Sequence, residues 1–250
     1  MFCVLMYQHI CLSPHFDDAA LSLGGALAGW HAAGERCLIV TICSAPPSGE
    51  LNSFAAYLHE RWGAASDPIA IRRAEDQAAA DRLGADLLFL EQHDAIYRHA
   101  AYDSVEAIFG TPMPNDLLWE SLTSQLQDLA KQYPAAQWYA PLAVGNHVDH
   151  QITHGVAAKV LSNVGWYEDL PYSARNNARE HRLAQVQPTL DQVIQIEQTL
   201  ATKLAAVADY ASQMVELFGT VESMQQELRA YAASVAEHGF AERLWRGGQA

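Results

Sequence analysis

Apolar and polar positions along this chain follow two alternating periods. Short buried-type runs at 9–12, 37–43, 87–90, 138–144 and 164–167 read as strands. Between them lie stretches with helical spacing. The first covers 19–32 and ends before Gly34. The second covers 68–83, opened by the cap Asp67-Pro68 and stopped at Gly84. A third runs over 115–132 with Leu118, Leu122, Leu126 and Leu129 on one face, and a fourth over 149–161. Strand–helix–strand repeated in this way predicts an α/β fold, a doubly wound and mostly parallel sheet with right-handed crossovers. Gly24-Gly25 lower the helix propensity of the first helix, which points to close packing of that helix on the sheet. Residues 44–66 read as a long loop with a helical turn near 54–61, and 95–113 as irregular; loops of such length in a compact domain usually serve function. Beyond residue 171 the expected order is a polar loop over 172–181, a short strand at 183–186, a helix over 190–210 and a last helix over 221–236, together a C-terminal cap. The stripe Val193, Ile196, Leu200, Leu204 and Val207 supports the longer helix. With no repeat, low-complexity tract or linker, residues 1–250 are expected to form one domain.

The strands end in chemistry. His15-Phe16-Asp17-Asp18 follows the first, Asp94 the third, His147-Val148-Asp149-His150 the fourth and Glu168-Asp169 the fifth. In open parallel sheets ligands bind beyond the carboxyl ends of the strands, so these groups should share one rim. If the first and fourth strands are neighbours, the two histidine-rich loops meet. Two imidazoles and a carboxylate make a three-ligand set that suits zinc and leaves a position for water. His15, Asp18 and His150 are the expected ligands. Asp17, beside them without ligand duty, is then the expected general base, and His147 the group that protonates a leaving amine or stabilises an oxyanion, with Asp149 to orient it. His154, one helical turn past His150, is an alternative ligand but is expected to pack or to face solvent. Either cluster alone reads equally well as a turn or helix cap; two of them, each closing a strand, point to a site.

Charge and composition narrow the partners. A net charge of −14 argues against nucleic acid and anionic membranes, which require clustered Lys and Arg. Half of the chain is hydrophobic, yet no apolar run is long enough to span a bilayer. Cys3, Cys11, Cys37 and Cys43 lack C-x-x-C spacing and lie in apolar stretches, as expected of reduced, buried thiols in a cytoplasmic protein. A G-x-G-x-x-G turn after the first strand, a P-loop and a G-x-S-x-G elbow are all missing, which disfavours dinucleotide binding, P-loop chemistry and an ordinary serine hydrolase.

At these residues the chain resembles the LmbE-like, or PIG-L, family of zinc-dependent deacetylases. The family's first motif, roughly (A/S)-H-P-D-D-E, stands here as Pro14-His15-Phe16-Asp17-Asp18-Ala19, and its H-x-D-H motif as His147-Val148-Asp149-His150. Arg72-Arg73-Ala74-Glu75 is similar to the family's R-x-x-E helix. The resemblance implies a Rossmann-like sheet, one Zn2+ per chain (Fe2+ as the alternative) held by His15, Asp18 and His150, Asp17 as base, His147 as acid or electrostatic catalyst, and Arg72 and Asp94 as substrate contacts. It implies a small N-acylated sugar, of the N-acetylglucosamine-conjugate type, as partner, with self-association left open. Phe16 and Ala19 replace the usual Pro and Glu, so the substrate could differ from a simple N-acetyl sugar. Trp62, Tyr97 and Tyr102 are candidates to stack on a sugar face. Competing functions are cleavage of a thiol-conjugate or other non-sugar amide, a non-catalytic sugar-binding role, and a phosphoesterase, the last calling for more ligands than are evident.

Overall fold

The computed structural model describes residues 6–62 and 67–248. Cys3 lies outside them, as do residues 63–66 of the long loop. β1 (His9–Ser13), α1 (Asp18–Ala32) and β2 (Cys37–Cys43) form the first crossover; α2 (Ser53–Arg61) rises from the long loop, and α3 (Pro68–Leu83) leads into β3 (Ala85–Gln92). The stretch read as irregular holds two single-turn helices, α4 (Ala95–Arg98) and α5 (Val105–Ile108). α6 (Leu118–Gln132), β4 (Gln137–Pro141), α7 (Val148–Val160) and β5 (Val164–Tyr167) complete the parallel part.

The C-terminal part departs from its sequence reading. Residues 183–186, read as a strand, belong to α8 (Ala178–Val186), and the expected helix over 190–210 divides into β6 (Thr189–Gln195) and α9 (Leu200–Ala208). Leu183 and Val186 stand three apart, which a helix places on one face, and a four-residue apolar run does not separate the two states. In β6 the β-branched Thr189, Val193 and Ile194 pair with a strand more than 40 residues later, which local spacing cannot reveal. The helical stripe is real from Ile196 onward: Ile196, Leu200, Leu204 and Val207 are buried, while Val193 is exposed. α10 (Ala211–Leu217), α11 (Val221–Val235) and β7 (Ala241–Arg246) close the chain; α10 and β7 were not foreseen.

The sheet runs β3-β2-β1-β4-β5-β7-β6, with the first five strands parallel and β7 and β6 antiparallel. Side-chain alternation in β1 and β2 builds two cores. Ile10, Leu12, Leu38, Val40 and Ile42 pack with the leucine face of α6 and with Ile152 and Val156 of α7. Cys11, Cys37 and Ile39 pack with α1, α3 and α9 on the other face.

Gly24-Gly25 admits a different neighbour from the one expected. A Cβ on Gly25 would lie 2.6 Å from Ile196 Cγ2, so the close approach is to the segment entering α9 rather than to the sheet. The helix is broken at Leu23 (φ −127°, ψ 15°). Beyond the break the N–H groups of Gly25 and Ala26 donate to the Glu242 carboxylate at 2.9 and 2.8 Å, and Lys203 Nζ pairs with the same carboxylate at 2.7 Å, all buried. Glu242→Gln strands the Lys203 charge in the core, so chemical denaturation should register a loss of about 3–5 kcal/mol; a loss below about 1 kcal/mol would mean that the pair contributes nothing.

Candidate metal and catalytic site

β1 and β4 are direct neighbours, Ile10 opposite Trp138, so their carboxyl ends deliver the two histidine-rich loops side by side. Hydrogen bonds fix the first loop. Ser13 Oγ donates to His15 O at 2.6 Å and accepts the Ala19 N–H at 3.0 Å, and the His15 N–H donates to Asp18 Oδ2 at 2.7 Å. Asp17 precedes α1 at the cap position yet makes no capping hydrogen bond with its side chain, which leaves its carboxylate to the cavity. The second loop turns through left-handed backbone at Ala143, Gly145 and Asn146. Gly145 is held there by two constraints at once, a φ of 91° and Tyr172, whose Cγ would stand 2.7 Å from an added Cβ.

Three donor atoms converge between the loops. His15 Nδ1 and His150 Nε2 are 3.3 Å apart, and Asp18 Oδ2 lies 3.5 Å from the first and 3.3 Å from the second. A tetrahedral ion with bonds of about 2.0–2.1 Å separates its ligands by about 3.3 Å, so this donor set fits one zinc-sized cation. The remaining ring nitrogens are tied down. His150 Nδ1 bonds Asp169 Oδ1 at 2.7 Å, and His15 Nε2 bonds Asp149 Oδ2 at 3.1 Å with Asp94 Oδ2 at 3.6 Å. Such carboxylates fix the tautomer and aim the free nitrogen. His147 stands beside the triangle, its ring centre 4.7 Å from that of His15, and a nitrogen of His147 falls within 4.8 Å of donors on His15 and His150. His15, Cys43 and Asp149 also approach one another, but Arg98 sits 2.5 Å from Asp149 and opposes a cation there.

Asp149 orients a different histidine from the one expected. Its carboxylate engages His15, the Arg98 guanidinium and the Ala95 N–H, and only its backbone N–H reaches His147, donating to Nδ1 at 3.3 Å. That bond places the neutral-ring proton of His147 on Nε2. His154 packs, as expected: its Nδ1 donates to Pro141 O at 2.9 Å and its ring lies on Trp166.

Electrostatics agree with the shape. Burial works against charge on His15, but Asp94, Asp149 and Asp18 outweigh it and hold its pKa well above the usual value. Burial likewise opposes His150, yet Asp18 and Asp169 push it up to about 9. Asp18, despite burial, is held far below the ordinary carboxylate range by His150 and His15. The potential at the triangle is therefore negative and favours a cation. His147 behaves oppositely: burial and the neighbouring His15 depress it well below 6.5, so the ring is neutral. Asp17 is raised above the ordinary value by burial, against the pull of the Arg72 guanidinium 3.5 Å away.

A cavity of about 270 Å³ opens onto His15, Asp17, Asp18 and His147 and is also lined by Arg72 and Asp94. Arg72 is buried between the rings of Phe16 and Trp62, 5.1 and 5.3 Å from their centres, and its Nε has no hydrogen-bond partner among the described residues. Phe16 is fully buried and outside the cavity lining; it supports Arg72. Of the three aromatic candidates only Trp62 lines this cavity. Tyr97 bonds His59, and Tyr102 is buried with its hydroxyl on Asp116. Glu75 accepts the Ser212 N–H and hydroxyl at 2.7 Å each, and Asp76 accepts the Tyr210 hydroxyl at 2.7 Å, so α3 anchors the start of α10, whose Gln213, Glu216 and Leu217 form part of the wall.

Two supporting groups were missed from the sequence. Asp169 was seen only as a polar strand end, and its position after β5 was the available signal. Arg98, which ties Asp149 to Asp116 from the irregular segment, carried none.

Known proteins resemble this chain in sequence and in fold. Residues 10–161 match the family model described as PIG-L, GlcNAc-PI de-N-acetylase. The chain is 31% identical over 236 residues to the 2'-N-acetylparomamine deacetylase of Niallia circulans, covering 83% of this chain and 81% of that protein. Among solved structures it is similar to a triple mutant of a deacetylase of the teicoplanin biosynthetic pathway, with a TM-score of 0.79, 28% identity and coverage of 95% of this chain and 96% of that one. It is also similar to the zinc-inhibited form of teicoplanin deacetylase, with a TM-score of 0.80, 25% identity and coverage of 94% and 96%.

Proposed function

The chain belongs to the PIG-L family of GlcNAc-PI de-N-acetylases, and from that membership and the geometry of the rim we propose that it is a metal-dependent amidohydrolase that removes the acetyl group from an N-acetylated amino sugar borne on a larger molecule. The observation that carries the proposal is the triangle of His15 Nδ1, His150 Nε2 and Asp18 Oδ2, with edges of 3.3–3.5 Å and with Asp17 beside it in one cavity. A divalent cation bound by those three residues would lower the pKa of a water molecule and polarise an acyl carbonyl.

The chain supplies the rest. Asp17 accepts the proton of the attacking water; burial brings its affinity toward that task, and Arg72 keeps the carboxylate ionised beforehand. His147 offers its Nε2–H to the developing oxyanion. Of the two roles foreseen for His147, its neutral ring and the Asp149 N–H on Nδ1 favour this one over that of proton donor. The proton held by Asp17 is then available to the departing amine. Asp149 and Asp169 orient His15 and His150, and Arg72 and Asp94 line the space where a sugar would stand. Among the described residues no helix is long and apolar enough to cross a membrane.

His147→Gln retains an N–H donor, whereas His147→Ala does not. The alanine variant should lose about 10²–10³-fold in kcat and the glutamine variant markedly less, and equal losses would exclude the oxyanion role. The proposal as a whole is tested by stripping the protein of metal, adding back one equivalent of Zn2+ or Fe2+, and measuring metal content and amine release from a panel of N-acetylhexosaminides. The expected result is one metal per chain and release of a primary amine with acetate. Absence of stoichiometric binding would sink the metal-dependent reading.

A further inference from the structure

The donor triangle does not account for every group of metal-ligating side chains. A ring nitrogen of His15, the Cys43 sulfur and an Asp149 carboxylate oxygen also lie within 4.8 Å of one another. Imidazole, thiolate and carboxylate together are a set that zinc or cadmium takes. Cys43 and Asp149 are buried beside the catalytic cavity, outside its lining.

A cation already stands at this second set. Arg98 closes α4, the single turn that follows Asp94, and its side chain is 6% exposed. It donates through Nη2 to Asp149 Oδ1 at 2.5 Å, through Nε and Nη2 to the two oxygens of Asp116 at 2.6 and 2.8 Å, and through Nη1 to His93 O at 2.6 Å. Asp149 turns its other oxygen to His15 Nε2 at 3.1 Å, and Asp94 Oδ2 stands 3.6 Å from the same nitrogen. Three carboxylates thus gather around one guanidinium and one imidazole, and the side chains of Asp116 and Asp149 are fully buried. Buried carboxylates require a counter-charge, and a guanidinium supplies one that cannot lose its proton. If it were removed, a divalent ion would be its natural replacement. A second cavity gives such an ion a route: about 210 Å³ in volume, it lies between the long loop and the irregular segment and is lined by Arg98 with Leu51, Asn52, Tyr97 and His99.

Resting on the metal-dependent reading, we propose that Arg98 stands in the place of a second metal ion: its guanidinium closes a His15–Cys43–Asp149 site and keeps the protein to the single ion at the triangle. Arg98 is then a positioning residue. It neutralises Asp149 and leaves that carboxylate on His15 Nε2, so that Nδ1 is the nitrogen offered to the triangle. An ion in the place of Arg98 would take up Nε2 and the Cys43 sulfur, and the thiol proton would leave to solvent.

Cobalt titration tests this, because a thiolate bound to Co2+ gives a near-ultraviolet charge-transfer absorption that nitrogen and oxygen ligands do not give. Metal-free wild type, Arg98→Ala and Arg98→Lys are titrated, and equilibrium dialysis counts the ions. Wild type and Arg98→Lys, which keeps the charge, should show no thiolate band. Arg98→Ala should bind one ion more than wild type and gain the band, and Cys43→Ser on that background should abolish both gains. Alanine strands Asp116 in the core, so Arg98→Ala/Asp116→Asn is titrated alongside and should gain the same ion and band. If a metal-free variant is unfolded by circular dichroism, Co2+ should restore a cooperative melt together with the band. A variant that gains no ion, or that Co2+ does not restore, overturns the inference. So does a thiolate band in wild type, or a gain in Arg98→Lys equal to that in Arg98→Ala. A merely structural role for Arg98 would weaken the fold without creating the band. If wild type bound no ion, the metal-dependent reading would fail, while the difference between variant and wild type would still decide the role of Arg98.

Discussion

Asp17→Asn is expected to lower kcat/KM for an N-acetylated amino sugar by about 10²–10⁴-fold while one divalent metal per chain remains bound. The reasoning is geometric. Asp17 and Asp18 are adjacent in sequence, but α1 begins between them and turns their carboxylates to different tasks. Asp18 Oδ2 accepts the His15 N–H and faces both imidazoles, whereas Asp17 makes no capping bond and looks into the cavity beside Arg72. The environments also part their proton affinities, Asp18 driven down by His150 and His15 and Asp17 driven up by burial. A carboxylate raised toward working pH suits proton transfer, while one held ionised suits a ligand. Asparagine preserves size and polarity at position 17 but cannot accept a proton from water. Kinetics together with metal analysis check the claim. A variant that keeps its activity, or one that loses its metal, would show the two aspartates to be assigned the wrong way round.

His150→Ala should abolish stoichiometric metal binding and leave activity at background, because it removes one corner of the triangle. Asp169→Asn should be milder, since the ligand remains while its orienting carboxylate does not; losses of about 10–100-fold in metal affinity are the expectation. The metal should also stabilise the fold. Asp18, Asp94, Asp149 and Asp169 crowd two imidazoles, and an ion that binds only the native state at about 1,000 times its Kd contributes about 4 kcal/mol. Chelation should therefore lower the thermal midpoint of the wild type and leave that of His150→Ala unchanged. Competition titration with a chelator and thermal melts with and without metal measure both effects. Equal metal affinity in wild type and His150→Ala would remove His150 from the ligand set.

The parallel part of this fold was legible because each strand from β1 to β5 is a short apolar run, all but β2 closed by a polar cluster, and each intervening helix carries caps or a leucine stripe. Local spacing suffices when the buried face of an element repeats along the element itself. It failed at β6 and β7, whose pairing spans more than 40 residues; β6 is the exposed edge strand, so its apolar residues mark no buried face. It failed in kind at Gly24-Gly25, where the reason for a small residue was Ile196, a neighbour distant in sequence. The same division holds at the opened end of the sheet. The sequence by itself determined which residue types stand at the strand ends, and with them the family. Tertiary structure alone decided that His15 presents Nδ1 to Asp18 and Nε2 to Asp149, that Asp149 serves His15 rather than His147, that Arg98 and Asp169 hold the arrangement, and that the long loop and the irregular segment line the same cavity. Apart from His15 and Asp18, three residues apart, those relations join groups from 19 (His150 and Asp169) to 134 residues (His15 and Asp149) apart, fixed by hydrogen-bond direction and burial, and a one-dimensional pattern carries neither.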